Sequence, residues 1–494
     1  MSIDLSLDRV QHLVHHLPAY TRPTIHIAGT NGKGSVSAFL SHILSSSQPP
    51  LKVGRYNSPH LLTPHDCITI HNVPISQDVY TTARAVIEDA DKEHKTKISS
   101  FELLTLTALS VFEEVKVDIA VVEVGMGGRL DATNIIPTSA IIASALTSVD
   151  LDHQAFLGPT VSHIAKEKAG IARPGRPFII GSQKHGEVRD IVQAVVAEVG
   201  GILLPAIDVS KRGWDPELDG EPSSFSLSAS SFKGPPHQPI SCRLPCFDDK
   251  LNASLPLCGD HQLDNLGVAL GVISSLFTTA PPELVSQIGL KSKFTLQTIA
   301  DGIRATRWPG RLSFHPISVP SSDSPSGLKK AVVLVDGAHN PASSQTLADY
   351  LSNLISVLSP RPKRLQLTYI IALSHSPPKT PAQTLSPFLP LPSLKSTDSN
   401  SPEMASRIAL LRFTPPEGMP WIKPVPPSEL QQVVSNLAPG VETWVAGDDE
   451  NVGTGELGNK HLLEALRWAV GGGCDLIVVV GSLYLVADFY RLGL

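Results

Sequence analysis

Ile27-Ala28-Gly29-Thr30-Asn31-Gly32-Lys33-Gly34-Ser35, continued by Val36-Ser37-Ala38-Phe39-Leu40-Ser41-His42-Ile43-Leu44, is the stretch on which the fold turns. An apolar run enters a glycine-rich turn, and apolar residues then recur at helical spacing, so the segment reads as strand, turn and helix. Glycines let successive backbone N–H groups converge on a phosphate, the helix N-terminus adds partial positive charge, and Lys33 adds a full one. The segment is expected to bind a nucleoside triphosphate. It departs from the common G-x-x-x-x-G-K-[ST] loop: Gly34 separates Lys33 from Ser35, and Ile27 stands where the first glycine would fall. A turn without a ligand is the plain alternative, and Lys33, Ser35 and the flanking pattern weigh against it.

The rest of the 494-residue chain, 41% hydrophobic and 17% charged, has room for two or three domains and a large core. With a formal charge of −6 and no basic stretch, neither nucleic acid nor a membrane surface is an expected partner. The start, Met1-Ser2-Ile3-Asp4-Leu5-Ser6-Leu7-Asp8-Arg9, resembles neither a secretory signal nor an Arg-rich transit peptide. Cys67, Cys242, Cys246, Cys258 and Cys474 lack metal-site spacing, so reduced thiols in a cytoplasmic protein are expected.

Apolar runs at residues 24–28, 119–124, 141–146, 178–180, 331–335, 367–373 and 476–480 alternate with longer helical patterns. Continuous apolar strands separated by helices predict an α/β protein with mostly parallel sheets covered on both faces, and there are enough for two sheets. Residues 210–246, 316–327 and 374–402 are rich in Pro, Ser, Asp and Gly, and the first and last read as mobile surface insertions. Thr306-Arg307-Trp308-Pro309-Gly310-Arg311 reads as the junction between two domains, 1–306 and 311–494. Ligands of such proteins are expected outside the carboxyl ends of strands, between the domains.

Three strand ends carry chemistry. Ile119-Ala120-Val121-Val122 runs into Glu123-Val124-Gly125-Met126-Gly127-Gly128-Arg129-Leu130-Asp131, placing a carboxylate where Mg²⁺ on a nucleotide would sit; a solvated strand-end acid is the alternative. The next strand ends in Thr147-Ser148-Val149-Asp150-Leu151-Asp152-His153, where His153 is either a metal ligand or a hydrogen-bonded structural residue. Val332-Val333-Leu334-Val335 leads into Asp336-Gly337-Ala338-His339-Asn340-Pro341, an acid and a histidine on a tight turn before a helix. Presented toward the phosphate loop, Asp336, His339 and Arg311 would supply charge to a transferred phosphoryl group. Residues 164–171, Ile-Ala-Lys-Glu-Lys-Ala-Gly-Ile, read first as a solvated charged helix face. Gly259-Asp260-His261-Gln262-Leu263-Asp264-Asn265 opens a well-capped helix whose Asn265 amide is placed to read an adenine edge. Tyr56-Asn57-Ser58-Pro59-His60-Leu61 is uninterpretable alone. No nucleophilic Cys or Ser with a positioned base stands out, so the chemistry reads as activation by phosphate.

Together, the Gly29–Ser35 loop, Ser58-Pro59-His60, Glu123 to Asn134, Asp152-His153 and Asp336 to Pro341 resemble the folylpolyglutamate synthase/dihydrofolate synthase family, within the Mur-ligase-like ATP-dependent amide ligases. Glu417-Gly418-Met419-Pro420-Trp421-Ile422 and Val480-Gly481-Ser482-Leu483-Tyr484-Leu485 are similar to the fungal dihydrofolate synthases. The resemblance implies an N-terminal P-loop ligase domain and a C-terminal Rossmann-like domain. It implies ATP contacts from Gly29, Thr30, Asn31, Gly32, Lys33, Gly34, Ser35, Asn265, Arg311 and Asp336, with His339 beside the phosphoryl path. Ser58, Glu123 and His153 would hold two Mg²⁺ ions, and a monovalent cation is a further candidate. Lys168 matches a lysine carbamylated in several relatives. Ser99, Ser100, Phe101, Glu102, Arg129 and Asp131 match parts of the pterin and substrate region, and Asp4 and Leu5 a segment closing the pteroate pocket. Lys33, Glu123, His153, Lys168 and His339 form the implied catalytic set.

The implied reaction joins L-glutamate to 7,8-dihydropteroate through an acyl phosphate, giving 7,8-dihydrofolate in a monomeric cytoplasmic enzyme. A folylpolyglutamate synthase acting on tetrahydrofolate, or a bifunctional enzyme, is the nearest rival. The phosphate loop begins too early for the uridine-nucleotide domain of a cell-wall Mur ligase. A P-loop switch NTPase predicts a normal Gly-Lys-Ser/Thr loop and leaves Asp336 and His339 unexplained. A non-catalytic relative would have lost Lys33, Glu123 or Asp336.

Overall fold

The computed structural model describes residues 6–221, 225–320, 327–358, 363–389, 403–419, 421–447 and 457–494. The chain divides into two compact units: Met1–Trp214, Gln238–Pro256 and Asp260–Arg307 form the first, and Asp215–His237, Leu257–Gly259 and Trp308–Leu494 the second.

The first unit is built on strands β1 (Thr24–Ala28), β2 (Val53–Tyr56), β3 (Ile68–Ile70), β4 (Val73–Pro74), β5 (Ile119–Glu123), β6 (Ile141–Leu146), β7 (Pro177–Ile180) and β8 (Ile202–Pro205), in the order β4-β3-β2-β5-β1-β6-β7-β8. β2, β5, β1, β6, β7 and β8 are parallel; β3 and β4 pair antiparallel at the edge. Every residue of β1, β2, β5 and β6 is buried, as continuous apolar runs covered on both faces require. From β1 the chain passes to β2 on one side, and from β5 to β6 on the other. Such divergence opens a crevice at the carboxyl ends of the two neighbouring strands. The glycine turn follows β1, and Glu123 is the last residue of β5, opposite Ile27. Strands β9 (Ser210–Lys211), β10 (Gln238–Arg243) and β11 (Lys250–Leu255) form a separate antiparallel sheet.

In the second unit, β12 (Ser313–Pro320), β13 (Leu328–Asp336), β14 (Arg364–Ile371), β15 (Glu403–Leu410), β16 (Glu442–Val445) and β17 (Leu476–Val480) take the order β12-β13-β17-β14-β15-β16. All neighbours are parallel except β12 with β13. Leu334, Leu367, Leu410 and Val478 of the sheet pack with Leu347, Leu351 and Leu430 of the helices in one core. The α/β class with mostly parallel sheets is therefore as the sequence predicts.

The expectation of a mobile insertion at 210–246 needs correction. β9 and β10 come from this stretch, with Ile240, Cys242 and Leu244 buried, and Phe225 is buried in the core of the second unit. Phe225 lies 6.2 Å from Phe232 and 5.8 Å from Phe314, ring centre to ring centre, edge-on in both cases. Apolar residues spaced among Pro and Ser are enough to anchor the segment. Phe225→Ala is expected to cost about 3–5 kcal/mol, the usual loss for a buried phenylalanine; calorimetry should show an earlier transition for the second unit. Within 374–402, Leu385, Phe388 and Leu389 are buried, while 390–402 lies outside the described residues. No helix among the described residues is long and apolar enough to cross a membrane.

Candidate active site

The turn after β1 has the backbone that phosphate binding needs. Gly29 has φ 151° and Gly32 φ 93°, a region where side chains are strained. A Cβ on Gly29 would overlap the Thr147 hydroxyl, and one on Gly32 the Asn265 carboxamide oxygen, so the turn is closed on both sides by side chains. Thr147 donates from its hydroxyl to the Asn31 carbonyl at 2.6 Å, and the Thr30 N–H donates to the Ser148 carbonyl at 2.8 Å. Gln262 donates to Ser35 Oγ at 3.3 Å and accepts from Asn265 Nδ2 at 3.0 Å. Asn265 thus buttresses Gly32, a contact the sequence reading of an adenine reader did not include. The Asp260 side chain makes no capping hydrogen bond to its helix, contrary to the expected cap.

Lys33 opens the helix Lys33–Ser45, and its ammonium donates to the Gly29 and Thr30 carbonyls at 3.1 and 3.4 Å. Its Nζ lies 3.8 Å from Glu123 Oε1. The other Glu123 oxygen accepts from Asn57 Nδ2, which also donates to Ser37 Oγ at 2.6 Å. Arg55, buried on β2, interacts electrostatically with Glu123, while burial pulls its guanidinium down to about 10. Asn57 and Arg55 escaped the sequence reading, although Asn57 adjoins Ser58 in a quoted loop. Their side chains meet Glu123 only because β2 lies beside β5.

Lys168, read as part of a solvated face, is instead 4% exposed on the helix Val161–Ala169. Lys168 shares the buried face of that helix with Val161, Ile164 and Ala165, and its ammonium donates to the Gly29 carbonyl at 2.9 Å. Burial first, and the Lys33 charge second, pull its pKa down to about 7. Two lysines therefore converge on one carbonyl of the glycine turn.

Oxygen donors with phosphate oxygens and water suit Mg²⁺, which binds few protein ligands. The buried Glu123 carboxylate, next to Lys33 on the glycine turn, fits that requirement. Among the described residues no group of three or more His, Cys, Asp or Glu forms a metal cluster. His153 is exposed, at φ 51°, and its backbone N–H donates to Asp152 Oδ1 at 3.0 Å.

The remaining first-unit candidates have local partners. Ser99 and Glu102 form a reciprocal capping box on the helix Ser100–Glu114, and Arg9 lies 3.5 Å from Glu102. The Phe101 ring occupies the space where a Cβ on Gly125 would stand. Arg129 pairs with Glu167 at 2.9 Å. Asp131 is buried and accepts from the Met126 N–H at 2.8 Å. Asp4 and Leu5 lie outside the described residues.

In the second unit Asp336 ends β13 and accepts backbone N–H groups of Leu312 and Ala338, both at 2.8 Å. Burial raises its pKa, opposed by the Arg311 charge and these two bonds. Leu312 sits at φ 44°, a strained position for a branched side chain, held by its bond to Asp336. His339 Nδ1 is 2.9 Å from the Gly337 carbonyl. A carbonyl only accepts, so Nδ1 carries the proton and Nε2 is the basic nitrogen. Asn340 and Ser343 cap the helix Pro341–Val357. Ser482, capping Leu483–Arg491, follows β17, the strand paired beside Asp336.

Comparison with known proteins decides the family. Residues 324–492 match the family described as dihydrofolate synthetase, C-terminal domain. The chain is 32% identical to a dihydrofolate synthetase of Saccharomyces cerevisiae, over 100% of this chain and 98% of the relative. The chain belongs to the folylpolyglutamate synthase/dihydrofolate synthase family. A probable dihydrofolate synthetase of Schizosaccharomyces pombe is 29% identical over 99% of both chains. Among solved structures, Mycobacterium tuberculosis folylpolyglutamate synthase complexed with ADP and AMPPCP has the same fold, with TM-score 0.71 at 23% identity, covering 99% of this chain and 95% of that one. Escherichia coli FolC in complex with DHPP and ADP aligns with TM-score 0.68 at 24% identity, over 100% and 94% of the chains. This family's two-domain architecture accounts for the pair of parallel sheets described above.

Proposed function

We propose that the chain is a dihydrofolate synthase, an ATP-dependent ligase that joins L-glutamate to 7,8-dihydropteroate. The observation that carries the ligase reading is Lys33 on the phosphate turn, 3.8 Å from the strand-end carboxylate of Glu123 on the neighbouring strand. Full-length likeness to dihydrofolate synthetases supports the choice of acceptor.

In this reading the triphosphate lies on the turn 29–35, with backbone N–H groups and Lys33 against its phosphates. Lys33 leaves the Gly29 and Thr30 carbonyls to do so. Glu123 would hold Mg²⁺, with Ser58 and His153 as further ligands, and the ion would supply neutralisation of phosphate charge there. A carboxylate oxygen of dihydropteroate attacks the γ-phosphorus; the bond from that phosphorus to the bridging β-oxygen breaks, and ADP leaves. The glutamate α-amine, as free base, attacks the acyl carbon; phosphate departs from the tetrahedral adduct and the amide remains. The family resemblance assigns ATP contacts to Arg311 and Asp336, and a place beside the phosphoryl path to His339. Lys168, neutral in part near pH 7, is in the form that reacts with carbon dioxide to give a carbamate.

A second reading, glutamate addition to tetrahydrofolate, draws on 30% identity to Lacticaseibacillus casei folylpolyglutamate synthase over 70% of this chain. ADP release with ATP, Mg²⁺ and L-glutamate, measured with either pterin carboxylate and with products identified by mass, separates the two. Turnover of dihydropteroate alone is expected; turnover of tetrahydrofolate alone would replace the proposal with the second reading.

A further inference from the structure

β1 buries a histidine that the ligase chemistry does not use. His26 is 0% exposed, and its Nε2 lies 2.8 Å from Thr133 Oγ1. The Thr133 hydroxyl donates to Asp131 Oδ1 at 2.6 Å, and the Thr133 backbone N–H reaches the same oxygen at 3.0 Å. The other oxygen, Oδ2, takes the Met126 N–H at 2.8 Å. Both Asp131 oxygens accept backbone N–H groups, and with Asp131 as the carboxylate the single Thr133 hydroxyl proton is committed to its Oδ1. Thr133 Oγ1 therefore accepts from His26, which fixes the histidine as the neutral Nε2–H tautomer.

That tautomer leaves Nδ1 as a bare lone pair, and Nδ1 has no hydrogen-bond partner among the described residues. Burial pushes the imidazole pKa down to about 3, so the ring stays neutral. A buried polar atom without a partner destabilises the fold, and valine or isoleucine would occupy a central strand without that penalty. The feature that compensates is the directed bond from Nε2–H.

The chain His26, Thr133, Asp131, Met126 ends in the glycine turn that begins two residues after Glu123. The turn is packed without slack: Gly125 faces the Phe101 ring, and Gly127 faces Leu157. It also lines a small cleft with Phe156, Leu157 and the Arg129–Glu167 ion pair. An aromatic side chain, aliphatic groups and charged hydrogen-bonding groups together suit a flat heteroaromatic ring with polar edges, whereas the groups suited to phosphate lie on the 29–35 turn.

We propose that His26 is a positioning residue: through Thr133 it locks the Asp131 carboxylate, and with it the 125–128 turn, in the shape that receives the pterin carboxylate substrate. The assignment of that substrate rests on the ligase reading; the relay itself does not. Gln places an N–H near the histidine Nε2 position and Leu does not, so His26→Gln and His26→Leu form the test pair. Thr133→Ser and Thr133→Val repeat it from the other partner should His26→Leu fail to fold. Two readouts are taken on the intact chain. By hydrogen exchange, residues 125–134 are expected to exchange about ten-fold faster in His26→Leu and Thr133→Val, and as wild type in His26→Gln and Thr133→Ser. In steady-state kinetics, the same two disruptive variants are expected to raise KM for 7,8-dihydropteroate about ten-fold with KM for ATP unchanged. Unchanged exchange in a cooperatively folded His26→Leu or Thr133→Val protein would overturn the relay, and equal rises in both KM values would overturn its substrate-side role. A wild-type chain inactive with dihydropteroate, with the exchange difference present, would remove dihydropteroate as the substrate and leave the relay standing.

Discussion

Lys33→Ala and Glu123→Ala are each expected to lower kcat by about 10²–10³-fold or more, the loss typical of removing a preorganised charge from the reacting phosphoryl group. Folding should survive both changes. After loss of Lys33, Glu123 still accepts from Asn57 and faces the Arg55 charge. After loss of Glu123, Lys33 still donates to the Gly29 and Thr30 carbonyls. The measurement is kcat alongside a cooperative thermal melt. Near-normal rates in a folded variant would remove these residues from the reaction.

Lys168→Met is expected to lower turnover by a comparable factor, about 10²-fold, and yet to stabilise the folded chain near neutral pH. The lysine pKa falls from 10.5 to about 7 on folding. Between these values the unfolded chain binds more protons than the folded one, so stability rises with pH across that window. Below about pH 7 the folded state carries the full penalty, a few kcal/mol at about 1.4 kcal/mol per pKa unit. Above about pH 10.5 the penalty is gone. Methionine fills a similar volume without a charge, and the Gly29 carbonyl keeps Lys33 as a donor. The melting temperature of Lys168→Met should therefore exceed that of wild type by more near pH 6 than near pH 9. A variant less stable than wild type at both pH values would show that Lys168 is not held against its charge.

These contrasts mark how far the sequence can be read. Gly29, Gly32 and Lys33 are legible because the turn's chemistry is local, and Glu123 and Asp336 because an acid ending a continuous apolar run marks a buried strand's carboxyl end. Arg55, Asn57, Thr147 and Gln262 are not legible, since strand order and one helix's approach, rather than spacing along the chain, bring them to the site. Lys168 is misread because Lys166, Glu167 and Lys168 run together as charges, although helical spacing from Val161, Ile164 and Ala165 sets Lys168 on the buried face. The 210–246 stretch is misread because Pro and Ser dominate its composition while two phenylalanines, Phe225 and Phe232, supply its anchor.

The central claim is that phosphate transfer to a carboxylate, rather than to water, precedes amide formation. It is tested most directly with 7,8-dihydropteroate carrying ¹⁸O in both carboxylate oxygens, turned over with ATP and L-glutamate, followed by mass analysis of the phosphate. Acyl-phosphate chemistry predicts one ¹⁸O in each phosphate released and one retained in the amide carbonyl. Unlabelled phosphate would contradict the account, because it would mean that water, and not the substrate carboxylate, attacks the γ-phosphorus.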